Sequence, residues 1–149
     1  MACIVYCGIR DKNLPAAQRF VTAFPGAVLD KNTGLVWEQA PDATFQIWDT
    51  AKRGCLVKNV GGTMGWRLPS VVELKSVQDP TLPAPFVPAN VFTGVQSDVY
   101  WSATTNSDAP TTFAWVVNFL NGNVGVGHKS STTFFFVWCV RGGINADQY

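Results

Sequence analysis

Any Ser-His or Cys-His chemistry in this chain has to pass through His128, its single histidine, because those mechanisms need an imidazole as general base. Ser102, Ser130 and Cys139 are the nucleophiles that could be drawn beside it. Neither a GxSxG elbow nor an ordering carboxylate accompanies them, so a solvent-facing histidine at a strand end is the simpler assignment. Four cysteines are present, but there is no CxxC and only one histidine, and a tetrahedral zinc site needs four good ligands. Between Pro80 and Val99 the one acid is Asp98, where a calcium site would need several carboxylates. The expectation is a protein that is not an enzyme, with no catalytic residue, no metal, no cofactor and no calcium dependence.

Composition narrows the partners further. A chain of 149 residues, 47% hydrophobic and 14% charged, can bury one sizeable core. Its eleven basic and ten acidic residues are scattered and sum to +1, so no polybasic track exists for a phosphate backbone and nucleic acid is not an expected partner. The longest apolar run, Phe134 to Val140, is far short of the roughly 20 residues that span a bilayer, so a soluble chain with no membrane span is expected. The opening MACIVYC has neither a positive n-region nor a long apolar h-region, and is not read as a cleavable leader.

The elements that must position these residues follow from periodicity and punctuation. Residues 1–26 are read as an N-terminal arm or first strand, with a possible role in assembly, and residues 27–149 as the main domain. RFVTAF is a β-type run, and Asn32-Thr33-Gly34 supplies a tight turn between Ala27–Leu29 and Leu35–Trp37, which predicts a hairpin. Phe45, Trp48, Ala51 and Cys55 form an apolar stripe at helical spacing, which predicts a helix over Thr44 to Lys58 with Cys55 facing the core. Ser70 followed by Glu73 is a capping box that opens a second helix over Val71 to Val77, ended by Pro80. Four prolines between Asp79 and Asp98 predict a long irregular loop. Strands are then expected over Val99–Thr104, Phe113–Phe119, Val124–His128 across the Asn121-Gly122 turn, and Phe134–Arg141. Two short helices, an antiparallel sheet and long irregular loops make an α+β domain. Trp66 and Arg67 are read as a scaffold beside the capped helix, and Trp37, Trp48 and Trp101 as core.

In order along the chain, GLVWEQ, a helix carrying a cysteine, GWRLPSVVEL, YWSATT, AWVVNFLNG and VWCVRGG resemble the C-terminal domain of the Legionella collagen-like adhesin and its bacterial and phage relatives, over about residues 27–143. The resemblance implies a C-type lectin-like fold close to the formylglycine-generating-enzyme branch, without that enzyme's arrangement of cysteines. It further implies a display or adhesion module at an extracellular, cell or virion surface, and a homo-oligomer. Some relatives are the variable ligand-binding proteins of diversity-generating retroelements. The resemblance also pairs Cys55 with Cys139 as a disulfide, where the residues alone equally allow two buried free thiols. Cys3 and Cys7, roughly 13 Å apart if extended, are too distant to bridge in a strand; they could pair within a turn or with other chains. Lys129 and Arg141 are the only cations after Tyr100, too few to suit the sulfated polysaccharide implied for the adhesin.

If Cys139 points inward, strand alternation carries Phe135 and Val137 in with it and turns Phe134, Phe136 and Trp138 outward. Alternation also sets Phe113, Trp115, Val117 and Phe119 on the core side of their strand. The expected binding surface is therefore Val116, Asn118, Val126, His128, Phe134, Phe136 and Trp138, rimmed by Asn106, Ser107, Asp108 and Thr112. Its expected partner is a protein or glycan on a cell or phage-host surface. The alternative is a self-assembling structural subunit, trimer or filament, that buries the same patch.

Overall fold

The computed structural model describes residues 14–142; Cys3 and Cys7 and the first half of the expected arm lie outside them. The architecture is α+β. Among the described residues three helices, α1 (Ala16–Arg19), α2 (Trp48–Leu56) and α3 (Val71–Val77), accompany strands β1 (Phe20–Phe24), β2 (Ala27–Asp30), β3 (Leu35–Glu38), β4 (Val99–Thr105), β5 (Phe113–Asn118), β6 (Val124–His128) and β7 (Val140–Arg141). They form two antiparallel sheets, β1-β2-β3-β7 and β4-β5-β6.

Local signals explain most of these elements. The β2–β3 turn closes where Gly34 adopts φ +79° and its N–H reaches the Asp30 carbonyl at 2.7 Å. Asp30 also takes the bidentate guanidinium of Arg19, at 2.8 and 2.7 Å, which ties α1 and β1 to the hairpin. At α3 the Ser70–Glu73 capping box forms as the sequence predicts. Glu73 then serves twice, because both its oxygens accept from Arg67 at 2.7 Å, and Arg67 also donates to the Gly142 carbonyl at 2.8 Å. Trp66 is buried and donates to the Thr63 carbonyl at 2.8 Å. The long loop is anchored by Val87 and Phe92, both buried in the core.

Helix α2 is shorter than its apolar stripe suggests. Ile47 is extended at the N-cap, φ −71° and ψ 158°, because Gln46 exchanges two backbone hydrogen bonds with Phe135, at 2.9 and 3.1 Å. Phe45 thus falls outside the helix, 58% exposed, with its ring 4.3 Å from that of Phe136.

The segment 134–141 departs furthest from expectation. Only Val140–Arg141 enters a strand ladder; before it come single bridges, Phe135 to Gln46 and Phe136 to Tyr100. Alternation does operate here, but it sorts side chains between two cores instead of between core and solvent. Phe136, Trp138 and Val140 enter a cluster with Trp37, Leu74, Phe92, Tyr100 and Phe119. Val137 and Cys139, with half-buried Phe135, enter the other, with Ala51, Cys55, Trp66, Trp101 and Val116. A chain buried on both faces reads as an unbroken apolar run, and FFFVWCV is one. The outward placement of Phe136 and Trp138 is therefore corrected, both being buried, and Phe134 alone of the three is exposed, at 51%.

Glu38 secures this inner segment. Its carbonyl accepts the Trp138 indole N–H, and its carboxylate accepts the Cys139 N–H, each at 2.8 Å, while Lys58 pairs with the second carboxylate oxygen at 2.9 Å. Cys139 is disulfide-bonded to Cys55, 84 positions earlier, fixing α2 against the segment as the resemblance implied.

Candidate functional site

The three-stranded sheet is covered unevenly, and cross-strand register shows where it is open. Residues directly opposed in an antiparallel pair stand on the same face. Tyr100 opposes Val117, and Val117 opposes Val124; at this end Tyr100 and Val117 are covered by the core cluster that contains Leu74 and Val77 of α3. Moving along the same face, Trp115 opposes Val126 and Phe113 opposes His128. Here the cover thins: Phe113 and Trp115 are half-buried, His128 is exposed and Val126 is 45% exposed.

This register corrects the expected patch. Val126 and His128 share their face with Trp115 and Phe113, not with Val116 and Asn118. Val116 lies on the opposite face, opposed by Trp101 on one side and Gly125 on the other, and is buried. Asn118 is half-buried at the far end of β5, where its side chain accepts the Leu120 N–H at 2.8 Å and shapes the β5–β6 turn. The buried face also explains one glycine of β6. A Cβ on Gly127 would sit 2.7 Å from the Trp101 ring and 2.8 Å from that of Phe135, so those rings occupy the space a side chain would need.

The rim residues gather beside the open end. The Asn106 N–H donates to the Phe113 carbonyl at 3.0 Å, its side chain accepts the Asp108 N–H at 2.9 Å, and the Thr112 carbonyl accepts the Lys129 N–H at 2.8 Å. The loop 106–112 is thereby pinned to the β5–β6 end, with Ser107 and Asp108 exposed and Asn106 and Thr112 half-buried. The His128 ring packs edge-on to Phe113, centroids 5.2 Å apart. The Lys129 ammonium donates to the Pro110 carbonyl at 2.6 Å and lies 3.9 Å from the Trp48 ring centre. Burial first, and the neighbouring Lys52 second, hold its pKa below the ordinary lysine value.

Of the residues named from sequence, the structure brings together Val126, His128, Asn106, Ser107, Asp108 and Thr112. It separates from them Phe136, Trp138 and Val116, which are core, and Asn118, which is a turn residue. Phe134 is exposed close to the short Gln46–Phe135 bridge. Phe113 and Trp115 were missed. The Asn121-Gly122 turn carried the signal that could have found them, since a hairpin turn sets which residues oppose one another.

The remaining chemical candidates are occupied elsewhere. Ser102 is buried and donates to the Trp115 carbonyl at 2.7 Å, Ser130 pairs with Thr132 and Thr133 at 3.1 Å, and Cys139 is in the disulfide. Among the described residues no group of three or more His, Cys, Asp or Glu side chains is placed to hold a metal ion, and no helix is long and apolar enough to cross a membrane. An open groove of about 620 Å³ lies apart from the sheet end, lined by Gly26, Glu38 and the segments 39–43 and 58–61.

An α+β domain stapled by the Cys55–Cys139 disulfide, with an open sheet end rimmed by a pinned loop, is the class that fold and site define. The family model of the Lcl C-terminal domain matches residues 26–141, and the chain belongs to that family, which makes it an adhesin-related domain. No curated protein matches the chain.

Proposed function

We propose that this chain is a non-enzymatic extracellular recognition domain, displayed at a cell or virion surface, that binds a protein or glycan through the open end of the β4-β5-β6 sheet. Membership of the adhesin-related family supports the adhesive role. The disulfide suits an oxidising, extracellular setting. Two sheets joined through a long, proline-rich loop agree with the C-type lectin-like arrangement that the resemblance implies.

The observation that carries the choice of surface is the register of β5 and β6, which sets Trp115 and Phe113 beside exposed Val126 and His128. Aromatic side chains that are part covered and part open offer contact area at little entropic cost, and polar groups on an adjoining loop supply hydrogen bonds. Ser107 and Asp108 are such groups. The test is capture on arrays of immobilised glycans and of surface proteins, using the intact chain and its Val126→Asp and His128→Ala variants. The proposal expects both variants to lose capture while keeping the wild-type melting temperature. Capture that survives both would move the site elsewhere.

A further inference from the structure

The groove of about 620 Å³ lies where β3 ends and α2 gives way to loop, lined chiefly by the segments 39–43 and 58–61. Both segments are anchored. The Gln39 N–H donates to the Gly26 carbonyl at 2.9 Å, and the Gln39 carbonyl accepts the Thr93 N–H at 3.0 Å. Val60 and Thr63 exchange backbone hydrogen bonds at 3.0 and 2.9 Å. A Cβ on Gly61 would run into the Pro25 carbonyl, so the second segment lies directly against the turn between β1 and β2.

Lys58 is placed from both ends of the disulfide. Its N–H donates to the Cys55 carbonyl at 3.1 Å, and its ammonium sits 2.9 Å from Glu38, whose other carboxylate oxygen accepts the Cys139 N–H. The Glu38 side chain is 4% exposed, so the groove has a buried charged group in its wall. An ammonium carries three donors, and among the described residues Glu38 is the one partner of this ammonium. Its other N–H groups are left for a ligand. Asp42 and Asn59 are exposed, and among the described residues neither side chain takes part in an ion pair or a hydrogen bond.

This lining selects a neutral ligand that both donates and accepts. An anion would face two carboxylates, Glu38 and Asp42, and one ammonium that Glu38 already neutralises. A cation would find only exposed Asp42, and an exposed ion pair adds little. A flat apolar ligand would find no ring to stack on, since none of the described residues lining the groove is aromatic. An extended peptide needs a strand edge for its backbone, whereas residues 39–43 and 58–61 belong to none of the named strands and both backbone groups of Gln39 are taken. A hydroxyl donates and accepts through one atom, and the volume is that of an ordinary ligand pocket. We propose that this groove binds a short neutral saccharide, the Lys58 ammonium and the Asn59 amide donating to its hydroxyls and the Asp42 carboxylate accepting from them. The site is separate from the open sheet end and does not depend on what that surface binds.

The experiment is an NMR titration of the full chain, read at the backbone amides, with lactose, maltotriose and N,N′-diacetylchitobiose up to about 10 mM. A heparin tetrasaccharide and an end-blocked, uncharged tetrapeptide are the comparisons. At least one neutral sugar should shift the amides of Gln39, Asp42, Asn59 and Gly61 saturably, and neither comparison should. Asp42→Ala and Asn59→Ala, both at exposed positions, should melt as wild type does and weaken that sugar by about fivefold each. Val126→Asp, outside the groove, should leave its affinity unchanged. No shift with any of the three sugars, wild-type affinity in both groove variants, loss of the response in Val126→Asp, or a stronger response to heparin or the peptide would each overturn the proposal.

Discussion

Replacing Trp138 by alanine tests the inward course of segment 134–141, because the two possible orientations give opposite outcomes. The indole is fully buried, with ring centroids of Trp37, Phe92, Phe119 and Tyr100 at 4.9, 5.1, 6.0 and 6.2 Å, and its N–H donates to the Glu38 carbonyl at 2.8 Å. Truncating a packed tryptophan costs about 3–5 kcal/mol, and stripping a buried carbonyl of its donor adds roughly 1 kcal/mol or more. Against a total of about 5–15 kcal/mol for a domain of this size, that is a large fraction of its stability, and the melting temperature should fall by at least about 10 °C. Phe134→Ala is the matched control: the ring is 51% exposed, so its loss should change stability by no more than about 1 kcal/mol. Urea unfolding followed by tryptophan fluorescence, with the disulfide intact, measures both. A Trp138→Ala protein within about 1 kcal/mol of wild type would refute the packing argument and return the ring to the surface.

Gly127→Ala should destabilise by about 1–3 kcal/mol, since its Cβ would press on the Trp101 and Phe135 rings at 2.7 and 2.8 Å; Gly125→Ala in the same strand, whose Cβ would meet Val116 at 3.9 Å, should cost less than about 1 kcal/mol, and urea unfolding measures both. Reducing the Cys55–Cys139 disulfide, or replacing both cysteines by alanine, releases a closure of 84 positions and should cost about 4 kcal/mol in the chain-entropy picture, read as a shift in urea midpoint. Burial pushes the Tyr100 hydroxyl from 10.0 up to about 12. The unfolded chain therefore loses this proton first, so the stability linked to it is intact below pH 10 and falls as pH rises towards 12, by roughly 3 kcal/mol in all. Ultraviolet titration should show one tyrosine ionising late, and a tyrosine set that ionises together at its ordinary value would contradict this. Ser70→Ala should cost about 1 kcal/mol by removing one half of the capping box.

The fold was legible wherever a local signal coincides with its physical cause. Ser70 and Glu73 specify the start of α3 because the cap needs only residues three apart. Gly34 specifies the β2–β3 turn because its backbone must take a positive φ. The 134–141 segment was not legible from alternation, because period two says which side chains share a face and not what covers that face. Here a helix-bearing layer lies on one side and a second cluster on the other, and both are assembled from distant parts of the chain. Phe45 shows the same limit: its helical spacing with Trp48 and Ala51 is real, yet the tertiary bond between Gln46 and Phe135 overrides it. For the candidate site, Val126 and His128 were named from strand alternation and Asn106, Ser107, Asp108 and Thr112 as a polar rim, and the structure gathers them at one end of the β4-β5-β6 sheet. Phe113 and Trp115 were assigned to the core because alternation puts them on one face with Val117 and Phe119. The β5–β6 register places them on a face whose covering thins towards them and leaves both half-buried.

The open sheet end as the contact surface is tested most directly by comparing array capture for three chains: wild type, Val126→Asp and Phe134→Ala. Both substitutions sit on exposed positions, so all three proteins should melt alike. The account predicts that Val126→Asp loses capture and Phe134→Ala keeps it. Loss with Phe134→Ala and retention with Val126→Asp would contradict it, and would place contact at the Phe45 and Phe134 rings.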